Sequence, residues 1–130
     1  MYTVLLCLLI ASLLPLLAKA PLAIAQAKAG GYDNRHPRNQ QSALTGFGAR
    51  AKAAHENAFE ALIMFTPGAL AVLITGQTDS YAQYLAMTFI AARLCYNLFY
   101  LLDWHLARSS VWTVGVGCSV ALTWHALQAV

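Results

Sequence analysis

Four stretches of this chain are long and apolar enough to cross a bilayer, and no other feature limits its folding as much. A membrane-crossing helix needs about 20 predominantly apolar residues. The first stretch runs from Tyr2 to Leu17 and beyond, interrupted only by Lys19. The second begins amphipathically near Ala43 and carries no charge from Ala61 to Thr78. The third, Ser80 to Leu102, holds Arg93 as its single charge, and the fourth, Ser109 to Val130, holds none besides the titratable His125. Short connections between such spans predict an all-α, integral membrane four-helix bundle. The expected organisation is one domain over residues 1–130, with helices at about 2–27, 43–76, 80–103 and 108–129 and a cytoplasmic polar loop at 28–42.

Composition excludes the alternatives. Of 130 residues, 59% are hydrophobic and 10% charged, against about 25% charged in a soluble domain. A chain of this length cannot hide so much apolar side chain from water. The same balance excludes disorder, collagen, a coiled coil and a disulfide-stapled secreted module.

Charge distribution predicts orientation. Lys28, Arg35, Arg38, Arg50 and Lys52 crowd the connection between the first two spans and the foot of the second, and Arg108 lies between the third and fourth. The connection around Gln77, Asp79 and Ser80 has no Lys or Arg. Basic residues near span ends stay cytoplasmic, so both termini are expected to face away from the cytoplasm. Leu5 to Leu17 also resembles a signal-peptide core, with Ala25-Gln26-Ala27 as a possible cleavage site. The basic leading segment of such a signal is missing, so a first membrane helix is the preferred reading.

Cysteine and histidine carry little chemistry here. Cys7, Cys95 and Cys118 fall inside apolar spans without a C-x-x-C pair, as small hydrophobes do. His36, His55, His105 and His125 lack close ligand spacing, so no metal site is expected. In the polar loop, Gly30-Gly31 should stop the first helix, Asp33 and Asn34 should form a turn, and Pro37 should keep a helix from crossing it. Its basic residues fit lipid headgroups, or a lid over a site at the membrane surface. They lack a recognition helix or aromatic platform for nucleic acid.

The second span is too polar at its start to be a passive lipid-facing helix. At 3.6 residues per turn, Arg50, Asn57, Glu60 and Met64 share one stripe, with Lys52, His55, Glu56 and Phe59 beside it. A carboxylate near the hydrocarbon region is costly unless paired, so Glu60 should face the bundle interior. In the third span Arg93, Tyr96 or Asn97, and Tyr100 recur at three- and four-residue steps. Glu60 and Arg93 are expected to face each other, with Asn57 and the tyrosines as hydrogen-bond partners. Such a pair could be a structural pin or part of a functional site. Pro67 within Thr66-Pro67-Gly68 should bend the second span. Ala69, Ala71, Gly115 and Gly117 suit close helix contacts, and Trp104 and Trp112 suit an interfacial belt.

Arg50-x4-His55-x-Asn57-x2-Glu60, Arg93-x2-Tyr96-x3-Tyr100 and Arg108-Ser109 together resemble the MAPEG family, the membrane-associated proteins of eicosanoid and glutathione metabolism. The Tyr32–Arg38 loop and the Gly46–Ala61 run are similar to its bacterial branch. The resemblance implies a homotrimer of four-helix subunits in a bacterial inner membrane, in contact with membrane lipids. It implies glutathione as co-substrate at a cytoplasmic-side subunit interface, with its thiol activated toward lipophilic electrophiles. By position, Arg50, His55, Asn57, Glu60, Arg93, Tyr96 and Tyr100 would bind glutathione, and Arg108 with Ser109 would approach the thiol. An arginine beside a thiol favours the nucleophilic thiolate.

Departures from the family pattern point elsewhere. Ala53 and Glu56 stand where glutathione-using relatives carry arginines, and Tyr96 and Trp112 replace a histidine and a tyrosine of mammalian relatives. A non-catalytic binding or assembly protein that keeps the fold is therefore the alternative. A small four-span carrier of lipophilic cations is a weaker one, because the first span has Lys19 and no acid.

Overall fold

The computed structural model describes residues 1–129. In chain order the helices are α1 (Tyr2–Lys28), α2 (Pro37–Ser42), α3 (Gly46–Ile74), α4 (Ser80–Leu101) and α5 (His105–Leu127). All except α2 are long and apolar enough to cross a membrane. Side chains such as Leu16, Ile63, Ile74 and Leu106 face outward, where a bilayer supplies the apolar surroundings that water would deny them.

Helix ends follow local chemistry. Beyond α1, Gly30 and Gly31 take φ of 102° and 99°, and the Gly31 N–H donates to the Ala27 carbonyl at 3.0 Å. The expected loop at 28–42 contains α2. No helix crosses Pro37, as expected, but Pro37 itself opens this short helix, because a fixed φ and an absent N–H suit the first helical position. Thr45 is extended, with φ −122° and ψ 170°, so α3 starts at Gly46 and not near Ala43. Between α4 and α5 the chain reverses through Asp103, at φ 61°. There the Asp103 N–H donates to the Tyr100 carbonyl at 3.2 Å and the Trp104 N–H to the Phe99 carbonyl at 2.9 Å. This Schellman arrangement lets α5 begin at His105, a turn earlier than its apolar run suggests.

Small residues bring the helices together. Ala51, Ala54 and Ala58 of α3 and Ala82 and Ala86 of α4 are buried. Phe65 stacks on Phe89, with centroids 4.1 Å apart and planes 9° from parallel. Among the glycines the tightest approach is at Gly68, where a Cβ would lie 2.8 Å from the Ser119 carbonyl oxygen and 2.9 Å from Thr123 Oγ1. Gly117, also expected at a helix contact, has nothing within 4 Å of that position. α3 runs as one helix through Pro67.

The two ends of the bundle differ in chemistry. At one, Gln26 is fully buried and fastens the loop to α1: its Nε2 donates to Gln40 Oε1 at 3.0 Å and to the Pro37 carbonyl at 3.3 Å. Lys19 Nζ reaches up α1 to donate to Gln26 Oε1 at 3.2 Å. Arg50 Nε donates to the Leu101 carbonyl at 3.4 Å, which places the start of α3 beside the end of α4. At the other end Thr3 donates to Gln83 at 3.0 Å, and Asp79 lies 3.2 Å from His125 Nε2. Every Lys and Arg other than Arg93 thus lies at, or reaches toward, the first end.

Candidate functional site

Asn57 joins α3 to α4. Positions 57 and 60 are three residues apart on one helix face, so their side chains meet, and Asn57 Nδ2 donates to Glu60 Oε2 at 2.7 Å. Across the helix interface Arg93 Nη2 donates to Asn57 Oδ1 at 2.6 Å and to its carbonyl at 3.3 Å. Arg93 is 2% exposed, whereas Glu60 is exposed at the rim. Asn57 links Glu60 to Arg93 as expected, but Glu60 is exposed and does not face the bundle interior, and Tyr96 meets Arg93 through its ring face. Glu60 and Arg93 form no direct ion pair, because the Asn57 amide sits between them with one end turned to each charge.

From Arg93 a ladder of alternating cations and rings descends toward the basic end. The Arg93 guanidinium lies 4.1 Å from the Tyr96 ring centre, Tyr96 meets Tyr100 edge-on at 5.6 Å, and Arg108 lies 4.4 Å from the Tyr100 ring centre. Guanidinium groups over tyrosine faces are held by the ring quadrupole. The tight α4–α5 turn makes the last step possible, since it returns Arg108 beside Tyr100. Tyr96, Tyr100, Arg108, Ser109 and Trp112 line a cavity of about 230 Å³. A second cavity, about 140 Å³, adjoins it through Trp112 and is lined by Asn57, Glu60, Phe89, Arg93 and Gly115. Ser109 Oγ donates to the His105 carbonyl at 2.9 Å, leaving its oxygen lone pairs available.

Two expected site residues lie elsewhere. Arg50 is turned to the end of α4, as above. His55 lies two residues before Asn57, about 200° around the helix, and its Nδ1 is 2.9 Å from the Pro15 carbonyl oxygen. It lines a polar cleft of about 360 Å³ between α2 and α3, with Arg38, Gln41, Lys52 and Glu56. Single-helix periodicity separates His55 from the Asn57 face, whereas Arg50 shares that face by angle and is set apart only by lying two turns earlier.

Sequence reasoning missed two contributors. Trp112, expected as a belt residue, lines both cavities at the site. Gln26 was visible only as an uncharged polar residue near the end of an apolar helix, and it anchors the loop that supplies Arg38 to the cleft.

Comparison with curated proteins and with solved structures gives no match. The family model for the MAPEG family matches residues 3–128, which takes in all four spans, the loop and every residue of the ladder. The chain is a member of the MAPEG family, a four-helix membrane protein.

Proposed function

We propose that this protein binds glutathione or a closely related thiol beside the Arg93–Tyr96–Tyr100–Arg108 ladder and activates it toward lipophilic electrophiles. The observation that carries this reading is Arg108 held over Tyr100 at the mouth of a cavity that also presents Ser109. A fixed guanidinium there favours the thiolate over the thiol. Ser109 Oγ, its proton held by the His105 carbonyl, can accept a hydrogen bond from the incoming thiol before that thiol ionises. The proton leaves to water at the basic end, and sulfur attacks the electrophile as the electrophile's leaving group departs. Glu60 suits the ligand's ammonium, and the Asn57 amide fixes that carboxylate in place.

Burial supports a site completed by a second subunit. Glu60 is exposed on a membrane-spanning helix, which is costly against lipid and acceptable where another chain covers it. The cavities beside α5 and the polar cleft beside α2 lie on opposite sides of α3. Surfaces on opposite sides that meet head-to-tail form a closed ring when the rotation between subunits closes, here taken as the homotrimer, with one subunit's cleft facing its neighbour's ladder. Positive charge gathered at one end supports placing that end, and the site, at the cytoplasmic face.

The test is turnover of glutathione with chlorodinitrobenzene by the purified protein in lipid vesicles. Wild-type protein should form the conjugate saturably with glutathione, and Arg108→Ala should lower the rate by about 100-fold. No conjugation by the wild-type protein, or an equal rate in the variant, overturns the reading.

A further inference from the structure

Charge in the cleft between α2 and α3 is balanced from within. Lys52 Nζ lies 2.7 Å from Glu56 Oε1, one helical turn away. His55 is committed at Nδ1 to the Pro15 carbonyl. Among the described residues the acid–base pairs are Lys52–Glu56 and Asp79–His125, so Arg38 is the cleft's one cation without an acid partner. A carboxylate entering the cleft can be met by Arg38. A second carboxylate would find the Lys52 ammonium already engaged, with the rest of Glu56, whose side chain is 56% exposed, facing it as a like charge. Like charges a few ångströms apart repel even when partly solvated.

We propose that Glu56, by holding Lys52, sets this cleft for thiol ligands that bring one carboxylate in preference to two. The site therefore favours a singly carboxylated, ammonium-bearing thiol peptide over glutathione itself. This rests on the reading that a neighbouring subunit's cleft completes the thiol site. The ligand's ammonium goes to Glu60, its carboxylate to Arg38, and its sulfur to Arg108.

Binding of glutathione and of its glycyl monoethyl ester to the purified full-length protein tests the assignment, by equilibrium titration at neutral pH. Wild-type protein should bind the ester about threefold more tightly than glutathione. Glu56→Gln should tighten glutathione about fivefold through the freed Lys52 while leaving the ester within about twofold. Adding Lys52→Met to Glu56→Gln should remove that gain. Glu56 and Lys52 lie on the rim, so these variants keep the fold. An unchanged glutathione-to-ester ratio in Glu56→Gln, or a gain that persists without Lys52, overturns the proposal and leaves the thiol site standing. If neither probe binds any of the proteins, the thiol site and the proposal fall together.

Discussion

Arg93 donates to Asn57 Oδ1 at 2.6 Å across the α3–α4 interface, and through that amide a buried guanidinium is connected to the Glu60 carboxylate at the rim. The two members of this contact are not equivalent. Asn57→Ala leaves a charge buried with less to hold it, whereas Arg93→Met removes the charge and leaves two neutral Asn57 oxygens short of a donor and the Tyr96 ring without its cation. Breaking a buried charged contact by removing its partner costs about 3 kcal/mol, and stranding a neutral group about 1–2 kcal/mol. Asn57→Ala should therefore lower the midpoint of unfolding in detergent more than Arg93→Met does. The reverse order, or equal losses, contradicts this.

Gly68 should not tolerate a methyl group. Alanine gains about 1 kcal/mol of helix propensity over glycine, but its Cβ would meet the Ser119 backbone oxygen at 2.8 Å. Overpacking against backbone costs about 1–3 kcal/mol, so Gly68→Ala should be net destabilising. Gly115→Ala, whose Cβ would lie 3.7 Å from Arg93 Cδ, should keep or raise stability. Thermal unfolding of both variants measures the contrast.

The α4–α5 turn offers a stabilising change. Asp103 sits at φ 61°, a conformation that glycine adopts without steric penalty. Asp103→Gly should raise stability by about 0.5–1 kcal/mol and leave Arg108 in place over Tyr100. A lowered unfolding midpoint would show that the Asp103 side chain does more than reverse the chain.

Acid should loosen the opposite end of the bundle. The Ala82 N–H, first, and then His125 hold the Asp79 carboxyl below the ordinary carboxylate range. A depressed folded value means its stabilisation is present above the ordinary carboxylate pKa and is lost as pH falls through the lower folded value. The gap in unfolding midpoint between wild-type protein and Asp79→Asn should narrow as pH falls through that acid window. Parallel curves throughout would remove Asp79 from the account.

Much of this arrangement was legible in the sequence because a bilayer makes polarity conspicuous. Glu60 and Arg93 stood out as charges bordering or interrupting apolar runs, and the three- and four-residue steps of Arg93, Tyr96 and Tyr100 placed them on one face. Periodicity within one helix cannot set the axial register between two, so the insertion of Asn57 between Glu60 and Arg93 was out of reach. Arg50 followed the right stripe by angle but lies two turns before Asn57, where the end of α4 offers it a carbonyl. Pro37 was a helix-opening signal as much as a helix-stopping one, and only the Gln26–Gln40 contacts show which applies. Trp112 resembled an interface anchor because its composition and position fit one; its place between two cavities depends on how α5 rotates against α4.

The most direct measurement is ultraviolet thiolate absorbance when glutathione is added to the purified protein at neutral pH. With Arg108 beside the bound sulfur, the wild-type protein should show a saturable thiolate signal, which Arg108→Ala abolishes while Asp103→Gly retains it. Glutathione that binds without any thiolate signal, or a signal that survives Arg108→Ala unchanged, contradicts the account.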